Sequence, residues 1–230
     1  MTHRGALLLE RSGIPKRYRG TKLENFNVDG PEHDRLLEAR TLSRNYVDGF
    51  LRADGRFRET GLLYIGPPGG GKTHLAVGVL RALIERYGTV GRFIDFTTLV
   101  HQIQSTFDAG SEESKQQVLG PIIDAEVLVL DELGAQRPTA FVNDILYLVL
   151  NTRYTRCQPT IFTTNSPIEE AGERVRGVSR LDAPAQAPAD VPLSSRIPAR
   201  LVSRLYEMTH IVELPVADFR REVGAAQARV

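Results

Sequence analysis

The sequence contains a single cysteine, Cys157, in 230 residues. One cysteine cannot form a disulfide within the chain, which excludes a disulfide-stapled secreted domain and indicates a reducing compartment. An unpaired cysteine is most often a small apolar core residue, and we expect Cys157 to be buried. A chain of this length buries roughly 70–75% of its unfolded surface on folding, so it does not need disulfides for stability.

Long apolar runs are also missing. The N-terminus offers four consecutive apolar residues, 6–9, which is fewer than the ~7–15 of a secretory signal. No run approaches the ~18 apolar residues of a membrane-spanning helix. We therefore expect a cytoplasmic protein with no membrane partner.

The chain has little net charge, formally +1 at neutral pH. It therefore exerts no overall attraction on nucleic acid, and any DNA contact has to be local. Charge is nevertheless uneven, because residues 1–22 hold six basic side chains against one acidic, and residues 108–132 hold seven acidic against one basic. Such runs are usually solvated faces; the alternative is that they meet across a contact between subunits.

After residue 60, short apolar runs of strand length alternate with stretches of helical periodicity. The runs predict five strands, at 62–65, 93–96, 127–130, 160–164 and 210–214. Strands that alternate with helices form a parallel sheet with crossover helices, so the predicted fold class is α/β.

We divide the chain into a lead-in and a core. The lead-in, residues 1–58, combines a basic segment with a helix that packs on the core. The core, residues 59–230, carries a Pro/Ala-rich insertion at about 170–192 and a short terminal helix. Pro138 is expected in the first turn of one of its helices, and Pro198 at the N-terminus of another.

A glycine-rich motif lies between the first predicted strand and the following helix, which is the context that G-x-x-x-x-G-K-[ST] requires. It reads Gly66-Pro67-Pro68-Gly69-Gly70-Gly71-Lys72-Thr73, followed by His74. Glycines allow backbone N–H groups to turn toward phosphate oxygens, and the helix adds the positive end of its dipole. Lys72 is expected to neutralise the β- and γ-phosphates, and the Thr73 hydroxyl to bind Mg²⁺.

Two acidic residues, Asp131 and Glu132, follow the third strand directly. The carboxyl ends of parallel strands open on the same crevice as the glycine loop, so Asp131 is a second candidate Mg²⁺ ligand. Glu132 is placed to polarise a water for in-line attack on the γ-phosphate, which favours hydrolysis over binding alone. Asn165 ends the fourth strand, where its amide could hydrogen-bond that water or the γ-phosphate.

Two arginines, Arg200 and Arg204, are one helical turn apart and share a face of the predicted last helix of the core. An exposed guanidinium there could contact the γ-phosphate bound to a neighbouring subunit. The alternative for either arginine is a surface ion pair of small energetic value.

Together these motifs resemble the AAA+ ATPases of the DnaC/IstB type, which are replicative helicase loaders and transposition helper ATPases. The resemblance extends from about Ile14 to Arg221. The residues that carry the resemblance are 14–19 with Phe26, 66–74, 130–134, 153–154, 163–165, 203–208 and 218–220.

The resemblance implies a P-loop NTPase fold of AAA+ type with a five-stranded parallel sheet flanked by helices and no C-terminal lid domain. It implies Mg²⁺-dependent hydrolysis of ATP, with Asn165 as the sensor-1 residue, Arg204 as the arginine finger and Arg220 as a sensor-2-like arginine at the nucleotide. It also implies single-stranded DNA as a partner and homo-oligomers joined through nucleotide interfaces. The helices between the second and third strands fall where the family carries the insertion associated with helical assembly.

The resemblance is compatible with two partner proteins on which the ATPase would act, a replicative helicase and a transposase. The lead-in accounts for almost all residues before Gly66, so we expect no separate helicase-docking domain in this sequence. A nucleotide kinase is a more distant alternative, since Gly-Pro-Pro-Gly loops occur there too, but the Asp131-Glu132 pair and the lack of an obvious lid segment disfavour it. A nucleotide-gated interaction module without turnover is the remaining alternative.

Overall fold

A five-stranded parallel sheet forms the centre of the protein. The computed structural model describes residues 3–107, 114–168 and 191–215. The strands are β1 (Gly61–Ile65), β2 (Gly91–Asp95), β3 (Val127–Asp131), β4 (Thr160–Thr164) and β5 (Thr209–Glu213). Their order in the sheet is β2-β3-β4-β1-β5, and every neighbouring pair is parallel. The prediction of a five-stranded parallel α/β sheet is confirmed.

Helices cover both faces of the sheet, which is why β1, β3 and β4 are buried along their whole length. The helices are α1 (His3–Arg11), α2 (His33–Asp48), α3 (Lys72–Tyr87), α4 (Phe96–Ser105), α5 (Lys115–Ile123), α6 (Ala140–Thr155) and α7 (Ala199–Met208), and short 3₁₀ turns span Lys16–Tyr18 and Leu193–Ser195. Successive strand residues alternate between the two layers, with Leu62 and Tyr64 packed beside α2 and α3 and Leu63 and Ile65 beside α4 to α7.

The chain before β1 packs on the core. Leu23 and Phe26 are buried in the same apolar cluster as α2 and α3. Beside the outer edge of β2, the backbone N–H of Phe93 donates to the carbonyl of Ser12 at 2.7 Å. The lead-in is thereby attached both to α3 and to the sheet.

The helix boundaries differ from the sequence prediction at two points. Phe96 was predicted to end the second strand, but it begins α4, because the Asp95 carboxylate accepts the backbone N–H of Thr98 at 2.7 Å and caps the helix. Pro138 was predicted in the first turn of a helix, but α6 begins at Ala140. Thr139 is the N-cap there, and its hydroxyl accepts from the N–H of Val142.

Cys157 was predicted to be a buried core residue, and this was wrong. It is exposed and has a positive φ of 52°. Its N–H donates to the carbonyl of Tyr154 at 3.0 Å, so Cys157 belongs to the turn that leaves α6 and leads into β4. Residues in such connecting turns lie at the surface, even when the side chain is of a type usually found in the core.

Some predictions fall outside the described residues. These are the greater part of the Pro/Ala-rich insertion, the short terminal helix and the absence of a lid domain after β5. Among the helices that the structure describes, none combines the length and apolar character needed to cross a membrane.

Candidate functional site

The glycine-rich loop connects β1 to α3, and its last glycine determines how tightly it turns. Gly71 has a φ of 87°, a left-handed value that side chains disfavour. A Cβ atom at this position would lie 2.5 Å from Cε2 of Phe26, so the lead-in closes directly over the loop. Phe26 therefore supports the loop from outside, and only glycine fits beneath it.

Lys72 begins α3 with its side chain folded back over the loop. Its Nζ donates to the carbonyl oxygens of Gly66 and Pro67, each at 2.7 Å, and the residue is 7% exposed. The ammonium group is thus held at the N-terminal end of a 16-residue helix, where the helix dipole also favours an anion.

Thr73 connects the loop to the acidic end of β3. Its hydroxyl donates to Oδ1 of Asp131 at 3.0 Å, and the Thr163 hydroxyl from β4 donates to the same oxygen at 2.5 Å. Burial raises the pKa of Asp131, while these two hydrogen bonds act in the opposite direction. Three elements, α3, β3 and β4, therefore converge on one carboxylate.

Glu132 follows in a strained conformation with a φ of 58°. Its N–H donates to the hydroxyl of Thr163 at 3.0 Å, the next N–H, of Leu133, donates to the carbonyl of Thr163 at 2.8 Å, and the hydroxyl of Thr164 donates to the carbonyl of Leu133 at 2.8 Å. The chain consequently turns immediately after Asp131, and the Glu132 side chain is exposed. Non-glycine residues with positive φ occur preferentially at functional sites, because the cost has to be compensated by surrounding contacts.

One cleft brings most of the predicted site residues together. Its lining, taken from the described residues, consists of Pro68, Gly69, Gly71, Lys72, Thr73, His74, Glu132, Thr163, Thr164 and Asn165, with Arg17 and Tyr18 from the lead-in. Asp131 lies behind this surface, joined to it through Thr73 and Thr163. The backbone carbonyls of Gly66 and Pro67 hold Lys72, and the N–H of Gly70 closes the loop on Pro67 at 3.4 Å.

His74 lies in the cleft wall, but its ring also serves the lead-in. Nε2 lies 3.0 Å from the carbonyl oxygen of Lys22 and 3.1 Å from Oδ1 of Asn25, and the ring meets Phe26 edge to face at 5.4 Å. Burial lowers the pKa of His74. Its visible role is to connect α3 to the lead-in.

Four residues of this region were missed by sequence reasoning. Thr163 and Thr164 look like ordinary β-branched strand residues, and Arg17 and Tyr18 were noted only as parts of a family motif. An adjoining cavity adds Arg196, which lies beside Glu132 and Asn165 and donates from Nη1 to the carbonyl of Gly134 at 2.9 Å. Sequence reasoning assigned none of these five residues a role of its own, because their places at the cleft depend on chain segments distant in sequence.

Arg200 and Arg204 lie on α7, and neither lines the cleft of its own chain. Leu201 and Leu205 point into the core and are fully buried, as predicted. The expectation of an exposed guanidinium holds for Arg200 but not for Arg204, which is partly buried against aromatic rings of α6. Within the described residues neither arginine forms an ion pair. Arg220 lies outside the described residues.

Comparison with known proteins gives a family model and several similar proteins. The family described as IstB-like ATP binding protein matches residues 53–181. The replicative helicase loader DnaC of Escherichia coli (strain K12) is 31% identical over 175 residues, which are 74% of this chain and 67% of that protein. The insertion sequence IS5376 putative ATP-binding protein of Geobacillus stearothermophilus is 34% identical over 170 residues, which are 73% of this chain and 61% of that protein.

A solved structure has the same fold. The crystal structure of the DnaC helicase loader superposes with a TM-score of 0.67 at 28% identity, covering 87% of this chain and 99% of that chain. The five-stranded sheet with its glycine loop is thus the AAA+ P-loop fold. Since the family pattern also extends over more than half of the sequence, the chain belongs to the family of IstB-like ATP-binding proteins.

Proposed function

We propose that this chain hydrolyses ATP with Mg²⁺ and acts in DNA replication by delivering a replicative helicase to single-stranded DNA. The main structural support for ATP binding and hydrolysis is the hydrogen bond from Thr73 to Asp131, because it joins the end of the glycine loop to the tip of β3. Membership of the ATP-binding family and the 31% identity to a replicative helicase loader support the wider role.

The loop and Lys72 would bind the triphosphate. Backbone N–H groups of the loop and of the first turn of α3 are the donors for phosphate oxygens. Lys72 now donates to two neutral carbonyls, and a charged phosphate oxygen is a stronger acceptor for the same ammonium. Cζ of Arg17 lies over the Tyr18 ring, 5.1 Å from its centroid, and these two side chains of the cleft lining would be available to stack on the base.

The donor set fits Mg²⁺. Oγ1 of Thr73 and Oδ1 of Asp131 are 3.0 Å apart, and two adjacent ligands of an octahedral Mg²⁺ have about this spacing. The described residues contain no cluster of three or more His, Cys, Asp or Glu side chains suited to a metal ion. A magnesium ion held by Thr73 and Asp131 would take its other ligands from phosphate and water. When bound, the ion would neutralise charge on the β- and γ-phosphates.

Hydrolysis would use Glu132 as the base. Its carboxylate accepts a proton from a water whose oxygen attacks the γ-phosphorus, the bond to the β-γ bridging oxygen breaks, and ADP and phosphate leave. Asn165 would orient the water or the γ-phosphate from the tip of β4. Arg204 would stabilise the transition state from a neighbouring subunit, and Arg220 would act as a sensor-2-like arginine within the same chain.

A second client, a transposase, is favoured by one comparison. The putative ATP-binding protein of an insertion sequence is 34% identical to this chain, which is comparable to its identity with the helicase loader. The nucleotide chemistry would be the same in both roles. Only the protein held by the ATP-bound assembly would differ.

Two experiments test this proposal. Fluorescence anisotropy with a labelled single strand, at low salt, should report binding that increases with a non-hydrolysable ATP analogue; equal binding with and without the analogue contradicts the DNA role. Affinity capture with the Glu132→Gln variant and ATP should retain a hexameric helicase if the first role is right and a transposase if the second is. The Lys72→Ala variant is the control that should capture neither.

A further inference from the structure

The outer surface of α6 and α7 carries a cluster of two arginines and two tyrosines. Cζ of Arg204 lies 5.4 Å from the ring centroid of Tyr147 and 5.4 Å from that of Tyr154. Cζ of Arg200 lies 4.8 Å from the centroid of Tyr147. All these distances fall within the ~6 Å range of a cation–π interaction.

The packing of the two helices explains the cluster. Tyr147 and Tyr154 are seven residues apart on α6, which places both on one face two turns apart. Leu201 and Leu205 bury the adjoining side of α7 in the core, and Arg204 lies beside α6 within reach of both tyrosine rings. The hydroxyl of Tyr154 donates to Oε2 of Glu207 at 2.5 Å, which fixes the position of that ring from α7 itself.

The two tyrosine rings restrict the Arg204 guanidinium, because its Cζ lies over both of them. All five N–H donors of the planar guanidinium point outward within its plane. Nη1 of Arg204 is buried and has no hydrogen-bond partner among the described residues. The guanidinium is therefore held by the two rings, while its Nη1 lacks an acceptor among the described residues.

We propose that Tyr147 and Tyr154 are positioning residues that hold Arg204 in the conformation in which it meets the γ-phosphate bound to a second copy of this chain. The inference rests on the proposed function, in which Arg204 acts across a subunit interface. A free arginine loses much of its rotamer freedom when it is fixed at a phosphate. Two rings that restrict the Arg204 side chain before it meets the phosphate reduce this loss of conformational entropy. They also orient the planar guanidinium for bidentate contact.

The experiment separates the subunit that binds ATP from the subunit that supplies the arginine. The acceptor is the Arg204→Ala variant, whose own nucleotide site is intact. The donor is the Lys72→Ala variant, whose own site is disabled and whose Arg204 is intact. Each should be nearly inactive alone, and mixing them should restore ATP hydrolysis if the arginine acts in trans.

Two further donors test the tyrosines. A donor that combines Lys72→Ala with Tyr147→Leu and Tyr154→Leu should restore about tenfold less turnover, or less, because the arginine is misplaced. The KM for ATP should stay unchanged, since ATP is bound by the acceptor. A donor that carries Tyr147→Phe instead keeps the aromatic ring and should restore turnover fully, because the ring and not the hydroxyl contacts Arg204.

The outcomes are distinct. If the leucine donor restores as much turnover as the Lys72→Ala donor, the inference is wrong and the arginine acts without the tyrosines. If no donor restores turnover, the trans role of Arg204 fails, and with it the inference that depends on it. Thermal melting of the leucine donor alone checks that it is folded; should it be unfolded, single Tyr147→Leu and Tyr154→Leu donors are compared with Tyr147→Phe in the same assay.

Discussion

The hydroxyl of Thr163 donates to Oδ1 of Asp131 at 2.5 Å, and through this contact β4 supports the carboxylate at the tip of β3. The same hydroxyl accepts the N–H of Glu132 at 3.0 Å. One side chain thus orients the proposed metal ligand and the backbone of the proposed base together.

Thr163→Val removes this support. We expect the Mg²⁺ concentration for half-maximal ATP hydrolysis to rise by about 10- to 100-fold, the usual cost of losing a residue that orients a metal ligand. Thr163→Ser keeps the hydroxyl and should behave like the wild type, and EDTA should abolish turnover in all three proteins. If the Thr163→Val variant and the wild type give the same midpoint in a magnesium titration, the hydrogen bond from Thr163 to Asp131 does not support the metal site.

Glu132→Gln should separate ATP binding from ATP turnover. The amide cannot accept the proton of the attacking water, so kcat should fall by about 10²- to 10⁴-fold, while the affinity for a fluorescent ATP analogue stays within about twofold of the wild type, because Lys72 and the loop remain intact. Glu38→Gln is the matched control, since Glu38 is an exposed carboxylate on α2. Retained phosphate release in Glu132→Gln would show that the base is another residue.

Gly71→Ala should disable the loop. The added Cβ lies 2.5 Å from Phe26 and the residue must keep a φ of 87°, so both the loop and the lead-in have to shift. We expect loss of detectable ATP binding in calorimetry. Gly88→Ala is the control: Gly88 has a φ of 66° with open space around its Cβ position, so it should cost about 1–3 kcal/mol of backbone strain and leave ATP binding intact.

Arg153→Met should destabilise the fold strongly. The Arg153 side chain is fully buried and its guanidinium donates to the Thr160 hydroxyl and to the carbonyls of Ile122, Ile123, Ala125 and Pro159. Burial lowers its pKa to about 9, so it remains charged at neutral pH. Its loss would leave buried carbonyls without donors.

We expect that variant to lose about 3 kcal/mol or more of unfolding free energy, or about 6–12 °C in Tm for a chain of this size. Arg156→Met is the matched control three residues later. Arg156 is half-exposed and pairs with Asp124 at 2.9 Å, so its loss should cost less than about 1 kcal/mol. Equal melting temperatures for the two variants would contradict the structural role of Arg153.

Sequence reasoning succeeded where local patterns decide the structure. The strand at 160–164 and the glycine loop before α3 were predicted where they occur, because strand patterns and loop glycines act over a few neighbouring positions. It failed at Cys157 and at Phe96, where a turn and a helix cap overrode the preference of the side chain. It also did not find Thr163, whose importance comes from a carboxylate 32 residues away.

The sequence by itself determined the glycine loop, the acidic pair at the end of β3 and the order of strands and helices, since each depends on residues close along the chain. Only the tertiary structure decided that Phe26 closes over Gly71, that Thr163 supports Asp131, and that two tyrosines hold Arg204. Those contacts join elements far apart in sequence, and their geometry follows from how the helices pack on the sheet.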